Sequence, residues 1–186
     1  MSYRAGDLTS SVALGDLDGD GALDIAAAAW PGVSVLLGRG DGSFSDAVPY
    51  RAGLYPQSVA LGDFDADHVL DLAVANECGA NVSILLGRGD GRFGEAVGYG
   101  VGVGPWSVAV GDLDGDSAID LAVASRLSED VSILRGRGDG SFGEAVCFGA
   151  GDFPVSIALG DLDGDDALDL AVANELSNDV SILLAR

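Results

Sequence analysis

The sequence predicts an all-β fold assembled from four copies of one unit. Three observations carry that prediction: an acidic phrase returning at near-constant spacing, apolar residues alternating with period two, and turn residues that leave no room for a helix. The phrase Gly15-Asp16-Leu17-Asp18-Gly19-Asp20 recurs as Gly62-Asp63-Phe64-Asp65-Ala66-Asp67, then as Gly111-Asp112-Leu113-Asp114-Gly115-Asp116, and finally as Gly160-Asp161-Leu162-Asp163-Gly164-Asp165. The intervals are 47, 49 and 49 residues, the first being shorter because that copy reads Trp30-Pro31-Gly32 between Ala29 and Val33. Self-similarity at such a period marks a repeat architecture.

The elements of a unit follow in order, and the second copy shows them best. Val59 and Leu61 precede the acidic loop on one face of a first strand, with Ser58 and Ala60 on the other. After the loop, Leu70, Leu72 and Val74 alternate with Asp71, Ala73 and Ala75, which gives a second strand. Val82, Ile84 and Leu86 alternate with Ser83 and Leu85 in a third. The turn Gly87-Arg88-Gly89-Asp90-Gly91 then leads to a weaker fourth run from Phe93 to Tyr99. Each unit is an antiparallel meander of four strands. Its second strand has one bulky and one small apolar face, so the sheet can pack against copies of itself on both sides. A sandwich or a linear array would also use such sheets, but radial stacking at this repeat length is a β-propeller. The expected fold is therefore an all-β propeller of four-stranded antiparallel blades, four repeats per chain.

One domain over residues 1–186 is expected, with repeats at about 7–53, 54–102, 103–151 and 152–186. The fourth copy reaches Leu184-Ala185-Arg186 without a fourth strand, while Tyr3-Arg4-Ala5-Gly6 matches Tyr50-Arg51-Ala52-Gly53 at the end of the first copy's fourth strand. Residues 1–6 could thus complete the last blade, within one chain or between chains. A four-bladed ring, an eight-bladed ring closed by a homodimer, and an arc of a longer propeller all fit.

Composition narrows the partners. Asp+Glu is 30 against Lys+Arg 9, a net charge of −21, which repels nucleic acid and anionic membranes. Yet 48% of residues are hydrophobic, so this is no disordered acidic tail. No apolar run is long enough for a transmembrane helix, and Met1–Asp7 lacks a signal peptide's apolar core. The chain is then either not secreted by that route or an excised mature segment. Cys78 and Cys147 fall at different places in the repeat and read as unpaired, packed thiols.

Sixteen of the acids lie in the four repeated loops. The first reads Asp16, Asp18, Asp20 and Asp24 at positions 1, 3, 5 and 9, and alternate residues of a tight loop turn toward one point. The other sets are Asp63, Asp65, Asp67 and Asp71; Asp112, Asp114, Asp116 and Asp120; and Asp161, Asp163, Asp165 and Asp169. Four carboxylates plus a position-7 carbonyl form an oxygen cage for a hard cation of calcium's size. Magnesium would take fewer carboxylates, and zinc would ask for His or Cys. Without a cation, one carboxylate pair at 4 Å costs about 4 kcal/mol at an effective dielectric of 20. Turn chemistry needs one or two Asp, not four at fixed offsets repeated four times. The loops are not EF-hands, since position 12 is Ala27, Val74, Val123 or Val172. Position 6 wants a positive φ and is Gly21 in the first copy but His68, Ser117 and Asp166 in the others. The first loop is expected to be the least strained, the second the weakest.

These residues resemble the FG-GAP/VCBS repeat. The resemblance rests on Asp-x-Asp-Gly-Asp-x-x-x-Asp-Leu-Ala-Val-Ala followed by Val-Ser-Ile-Leu-Leu-Gly-Arg-Gly-Asp-Gly-x-Phe. It implies an integrin-α-type propeller with calcium in the loop between the first two strands of each blade, about four ions per chain. It also implies carbonyl ligation at Ala22, Val69, Ala118 and Ala167, and an extracellular or cell-surface module for adhesion or carbohydrate binding. The expected function is a calcium-binding scaffold or interaction module without catalysis, its partner a protein or glycan. The alternative is a lectin-like binder with pockets between blades, for which Trp30 and Trp106 could stack on sugars. No constellation breaks the repeat symmetry as an active site would, and Glu77 and Glu175 read as solvated loop acids. Arg39-Gly40-Asp41, Arg88-Gly89-Asp90 and Arg137-Gly138-Asp139 look like an integrin-recognition tripeptide, but a tight strand connection requires the same residues.

Overall fold

The computed structural model describes residues 1–185 and contains four antiparallel sheets. The first sheet comprises β1 (Asp7–Gly15), β2 (Asp24–Trp30), β3 (Gly32–Leu36) and β4 (Val48–Arg51). The second comprises β5 (Pro56–Gly62), β6 (Asp71–Asn76), β7 (Asn81–Leu85) and β8 (Val97–Gly100). The third comprises β9 (Pro105–Gly111), β10 (Asp120–Ser125), β11 (Asp130–Leu134) and β12 (Val146–Gly149). The fourth has three strands, β13 (Pro154–Gly160), β14 (Asp169–Asn174) and β15 (Asp179–Leu183). Strands pair in chain order, and among the described residues no sheet closes on itself.

Register turns the period-two pattern into two faces. Leu61, Leu72 and Leu85 lie opposite one another in one row, and Ala60, Ala73 and Ile84 in the next. Leu72, Val74 and Leu85 of the second sheet pack on Ala26, Ala28, Val33 and Val35 of the first. Leu121, Val123 and Leu134 of the third pack on Ala73, Ala75, Val82 and Ile84 of the second, and Leu170 and Val172 of the fourth on Ala122, Val131 and Ile133 of the third. Large side chains enter the relief left by small ones, so successive sheets approach closely. Serines tie the first strands together: Val59 N–H donates to Ser11 Oγ at 3.4 Å, Val108 N–H to Ser58 Oγ at 3.3 Å, and Ile157 N–H to Ser107 Oγ at 3.3 Å.

The fourth run is shorter than the sequence pattern suggests. Phe93 makes only an isolated bridge with Gly87, and β8 begins at Val97. The Phe93 ring is instead a buried plug against Tyr50 of the first sheet, at a centroid distance of 5.4 Å. Phe142 repeats the contact with Tyr99 at 5.5 Å, and Phe44 with Tyr3 at 5.5 Å. Tyr3 also accepts a hydrogen bond from Phe44 N–H at 3.1 Å. Residues 1–6 therefore lie against the first sheet and not beside β15, so within this chain they do not supply a fourth strand to the fourth sheet.

Candidate metal centres

Each acidic loop connects the first two strands of its sheet, and one residue anchors it. Asp24 is fully buried; its Oδ2 accepts Leu17 N–H at 2.7 Å and its Oδ1 accepts Gly38 N–H at 2.6 Å. It thus ties the loop's entry to the end of β3. Asp71 is held the same way by Phe64 and Gly87, Asp120 by Leu113 and Gly136, and Asp169 by Leu162 and Ala185. A buried carboxylate with two backbone donors is fixed in place, with oxygen lone pairs left over.

The position-1 aspartates are fixed by their own loops. Asp16 accepts Gly19 and Gly21 N–H, Asp112 accepts Gly115 and Ser117, and Asp161 accepts Gly164 and Asp166. These bonds require left-handed backbone at positions 4 and 6. Position 6 has φ of +86° at Gly21, +70° at His68, +73° at Ser117 and +67° at Asp166, as its residue types suggested. Position 4 carries the same demand, which the sequence reading missed: Gly19, Gly115 and Gly164 meet it easily, but Ala66 adopts φ +60°. The second loop therefore holds two non-glycine residues in the left-handed region, at roughly 1–2 kcal/mol each. There Asp67 N–H takes over the bond to Asp63 Oδ1 at 3.1 Å. His68 Nδ1 lies 3.6 Å from Asp63 Oδ2 on an almost fully exposed ring.

Positions 1, 3 and 9 converge in all four loops. Asp16, Asp18 and Asp24 each offer an oxygen within 4.8 Å of the others, as do Asp63, Asp65 and Asp71, then Asp112, Asp114 and Asp120, and Asp161, Asp163 and Asp169. Position 5 stands apart. Asp20, Asp67, Asp116 and Asp165 each accept the position-7 N–H, of Ala22, Val69, Ala118 and Ala167 respectively, at 2.7, 2.8, 2.8 and 2.9 Å. The donor set is all oxygen and all anionic, and its charge is felt. Burial, with the neighbouring Asp65 and Asp67 adding to it, pushes Asp71 up to about 6. Lost hydration first, then neighbouring carboxylates, raises Asp18, Asp65 and Asp163, whereas Gly164 N–H leads the contacts that lower Asp161. Clustered carboxylates held this way fit a divalent cation by charge and by donor chemistry.

The sequence matches the FG-GAP-like repeat over residues 16–74, 63–123 and 112–172. The chain belongs to the FG-GAP-like repeat family. As a member, it places the family's acidic phrases at corresponding first-to-second-strand connections in all four sheets. No curated protein sequence matches it. Its fold is similar to that of an Agrocybe aegerita lectin solved for its specific recognition of non-reducing terminal N-acetylglucosamine, at 21% identity and TM-score 0.62, over 96% of this chain and 50% of the lectin. It is also similar to a protein of unknown function from Desulfotomaculum acetoxidans, at 14% identity and TM-score 0.63, over 95% of this chain and 55% of that one. The chain spans about half the length of each.

Other singled-out residues find structural employment. Asp41 and Asp139 accept Ser43 and Ser141 N–H, Gly40 and Gly138 have φ of +70° and +67°, and Arg39 donates to Phe44 O at 2.6 Å. These Arg-Gly-Asp turns thus use their own side chains to close. Trp106 lies under the Arg126 guanidinium, 3.9 Å from its ring centroid, so that face is covered. Trp30 packs on Tyr55 at 5.2 Å. Glu77 is not solvated: it pairs with Arg126 and accepts Gln57 Nε2 at 2.7 Å, while Glu175 is exposed. Cys78 and Cys147 are unpaired but exposed rather than packed, because they occupy a surface turn and an outermost strand. No helix among the described residues is long and apolar enough to cross a membrane.

Proposed function

We propose that the chain is a calcium-dependent interaction module without catalysis, an arc of a β-propeller whose loops use the cation as part of the fold. The observation that carries this reading is the buried ninth aspartate, which binds the loop to the end of the third strand while facing two further carboxylates. A cation there would join three elements and relieve their repulsion. Calcium suits the site better than magnesium because the loop offers several carboxylates, where magnesium would keep a rigid shell of water. At a loop that takes the ion, Asp16, Asp18 and Asp24 or their equivalents would hold it, with Asp20, Asp67, Asp116 or Asp165 turning inward and Ala22, Val69, Ala118 or Ala167 presenting a carbonyl. Operation outside the cell, with a protein or glycan as partner, accords with calcium use and with the family.

Calorimetric titration of calcium into chelator-stripped protein, with melting curves at both ends, tests the reading. Each site held at hundredfold excess over its Kd adds about 2.7 kcal/mol, and each kcal/mol raises Tm by roughly 2–4 °C in a chain of this length. No heat and an unchanged melt would remove the metal from the account. A lectin-like role is supported by the lectin neighbour and by a cavity of about 280 Å³ lined by Leu8, Thr9, Trp30, Tyr55, Pro56 and Gln57. Quenching of tryptophan emission by N-acetylglucosamine, lost in Trp30→Ala, would favour it.

A further inference from the structure

The four loops are not electrostatically alike. Three repeats place leucine after the third strand, as Leu37, Leu86 and Leu184, and the third repeat places Arg135 there. A Cβ on Gly91 would lie 2.7 Å from Leu37 Cδ2, and one on Gly140 2.9 Å from Leu86 Cδ1, so these leucines tuck under the turn of the following sheet. Arg135 turns into its own acidic loop instead. Its Nη1 lies 2.7 Å from Asp120 Oδ2 and 3.4 Å from Asp114 Oδ2. Among the described residues, no other loop has an arginine against its carboxylates.

We propose that Arg135 is the tethered cation of the third loop, and that the chain takes up calcium at the first, second and fourth loops while the third remains metal-free. The inference rests on the calcium reading of the other loops. Asp120 already receives Leu113 N–H at 3.0 Å on Oδ2 and Gly136 N–H at 2.7 Å on Oδ1. With Arg135 added, about three of its four lone-pair positions are used, against about two in Asp24. A calcium ion would have to displace the guanidinium or share two carboxylates with it, and its affinity falls with the charge of the ligand set. The repulsion that destabilises the other loops without calcium is already answered in this one. Backbone strain would instead single out the second loop, so the two accounts predict different weak sites.

The test is calcium calorimetry on the whole chelator-stripped chain, wild type against Arg135→Leu, the residue of the other repeats. Arg137→Leu, in the adjoining turn, serves as control. The proposal expects Arg135→Leu to gain one site at concentrations where the wild type has none, a rise of roughly tenfold or more in third-site affinity. It also expects a lower chelator-state Tm and a larger calcium-induced rise, with Arg137→Leu unchanged. Should Arg135→Leu fail to fold without metal, withdrawal of calcium from the loaded protein by a competing chelator counts the sites. Four equivalent sites in both proteins would overturn the proposal and leave the calcium reading standing. Absence of calcium heat and of any Tm change in both would overturn both.

Discussion

Asn76 shows how much one buried amide holds. Its Nδ2 lies within hydrogen-bond distance of Ala52 O, Val74 O, Asn81 Oδ1 and Ser83 Oγ, at 2.9, 3.2, 2.8 and 3.0 Å. Asn174 repeats the pattern with Asp179 Oδ1 at 2.8 Å and Ser181 Oγ at 2.9 Å. In the third sheet the position is Ser125, too short to reach, and both Ser125 Oγ and Asp130 Oδ1 are buried without a partner, against the single amide oxygen, Asn76 Oδ1 or Asn174 Oδ1, left so in the second and fourth sheets. A buried acceptor left without a donor costs more than a formed bond returns. Ser125→Asn should therefore stabilise the protein by about 1 kcal/mol, raising Tm by roughly 2–4 °C. Thermal unfolding of the single variant checks this, and a lower Tm would show that the amide does not fit. The aspartate spacing was readable from the sequence because side-chain convergence in a tight loop is a local property. Arg135 and Ser125 were visible only as departures from a repeat. That one reaches back into the loop and the other leaves a carboxylate unserved depends on contacts across strands.

Strands were legible for the reason that makes them stable: the same alternation that reads as period two places large residues opposite small ones between sheets. The fourth strands were less legible, since β4, β8 and β12 are short and mostly exposed, leaving little periodic signal. The central alternation makes a direct prediction. Ala73 is fully buried beneath Leu121 and Val123 of the next sheet, while its counterpart Ala171 faces no further sheet and is half-buried. Ala73→Leu should cost about 1–3 kcal/mol through overpacking, and Ala171→Leu no more than about 0.5 kcal/mol. Denaturant midpoints at equal m-value measure the difference. Equal costs would mean that the small face is not what allows the sheets to approach.

At the scale of the whole molecule, the repeat announced sheets that stack on themselves, but a pattern that is the same in every copy carries no information about how the series ends. The structure leaves two complementary faces open. Val59 and Val108 are only 6% and 7% exposed, whereas their counterpart Val12 in the first sheet is 62% exposed and neighbouring Leu14 59%. Val82 and Ile84 are buried at 0% and 2%, whereas Val180 and Ile182 of the fourth sheet are 59% and 51% exposed. The first face is the kind that packs on the second at all three junctions within the chain, so a second copy presents the matching surface. Such a contact is head-to-tail, and its rotation decides whether it closes a ring or continues as a fibre. The net charge of −21 opposes it; added salt weakens that opposition, as calcium would on the function proposed above. Sedimentation of the 186-residue chain at about 0.1 mM should therefore give a mass above 18.6 kDa that rises with calcium. Val12→Asp combined with Ile182→Asp should return it to the single-chain value. Because both positions are solvent-exposed, those changes should leave the Tm of a dilute sample nearly unchanged, which separates lost association from lost folding. A wild-type mass of one chain at saturating calcium would show that charge, not shape, governs these faces.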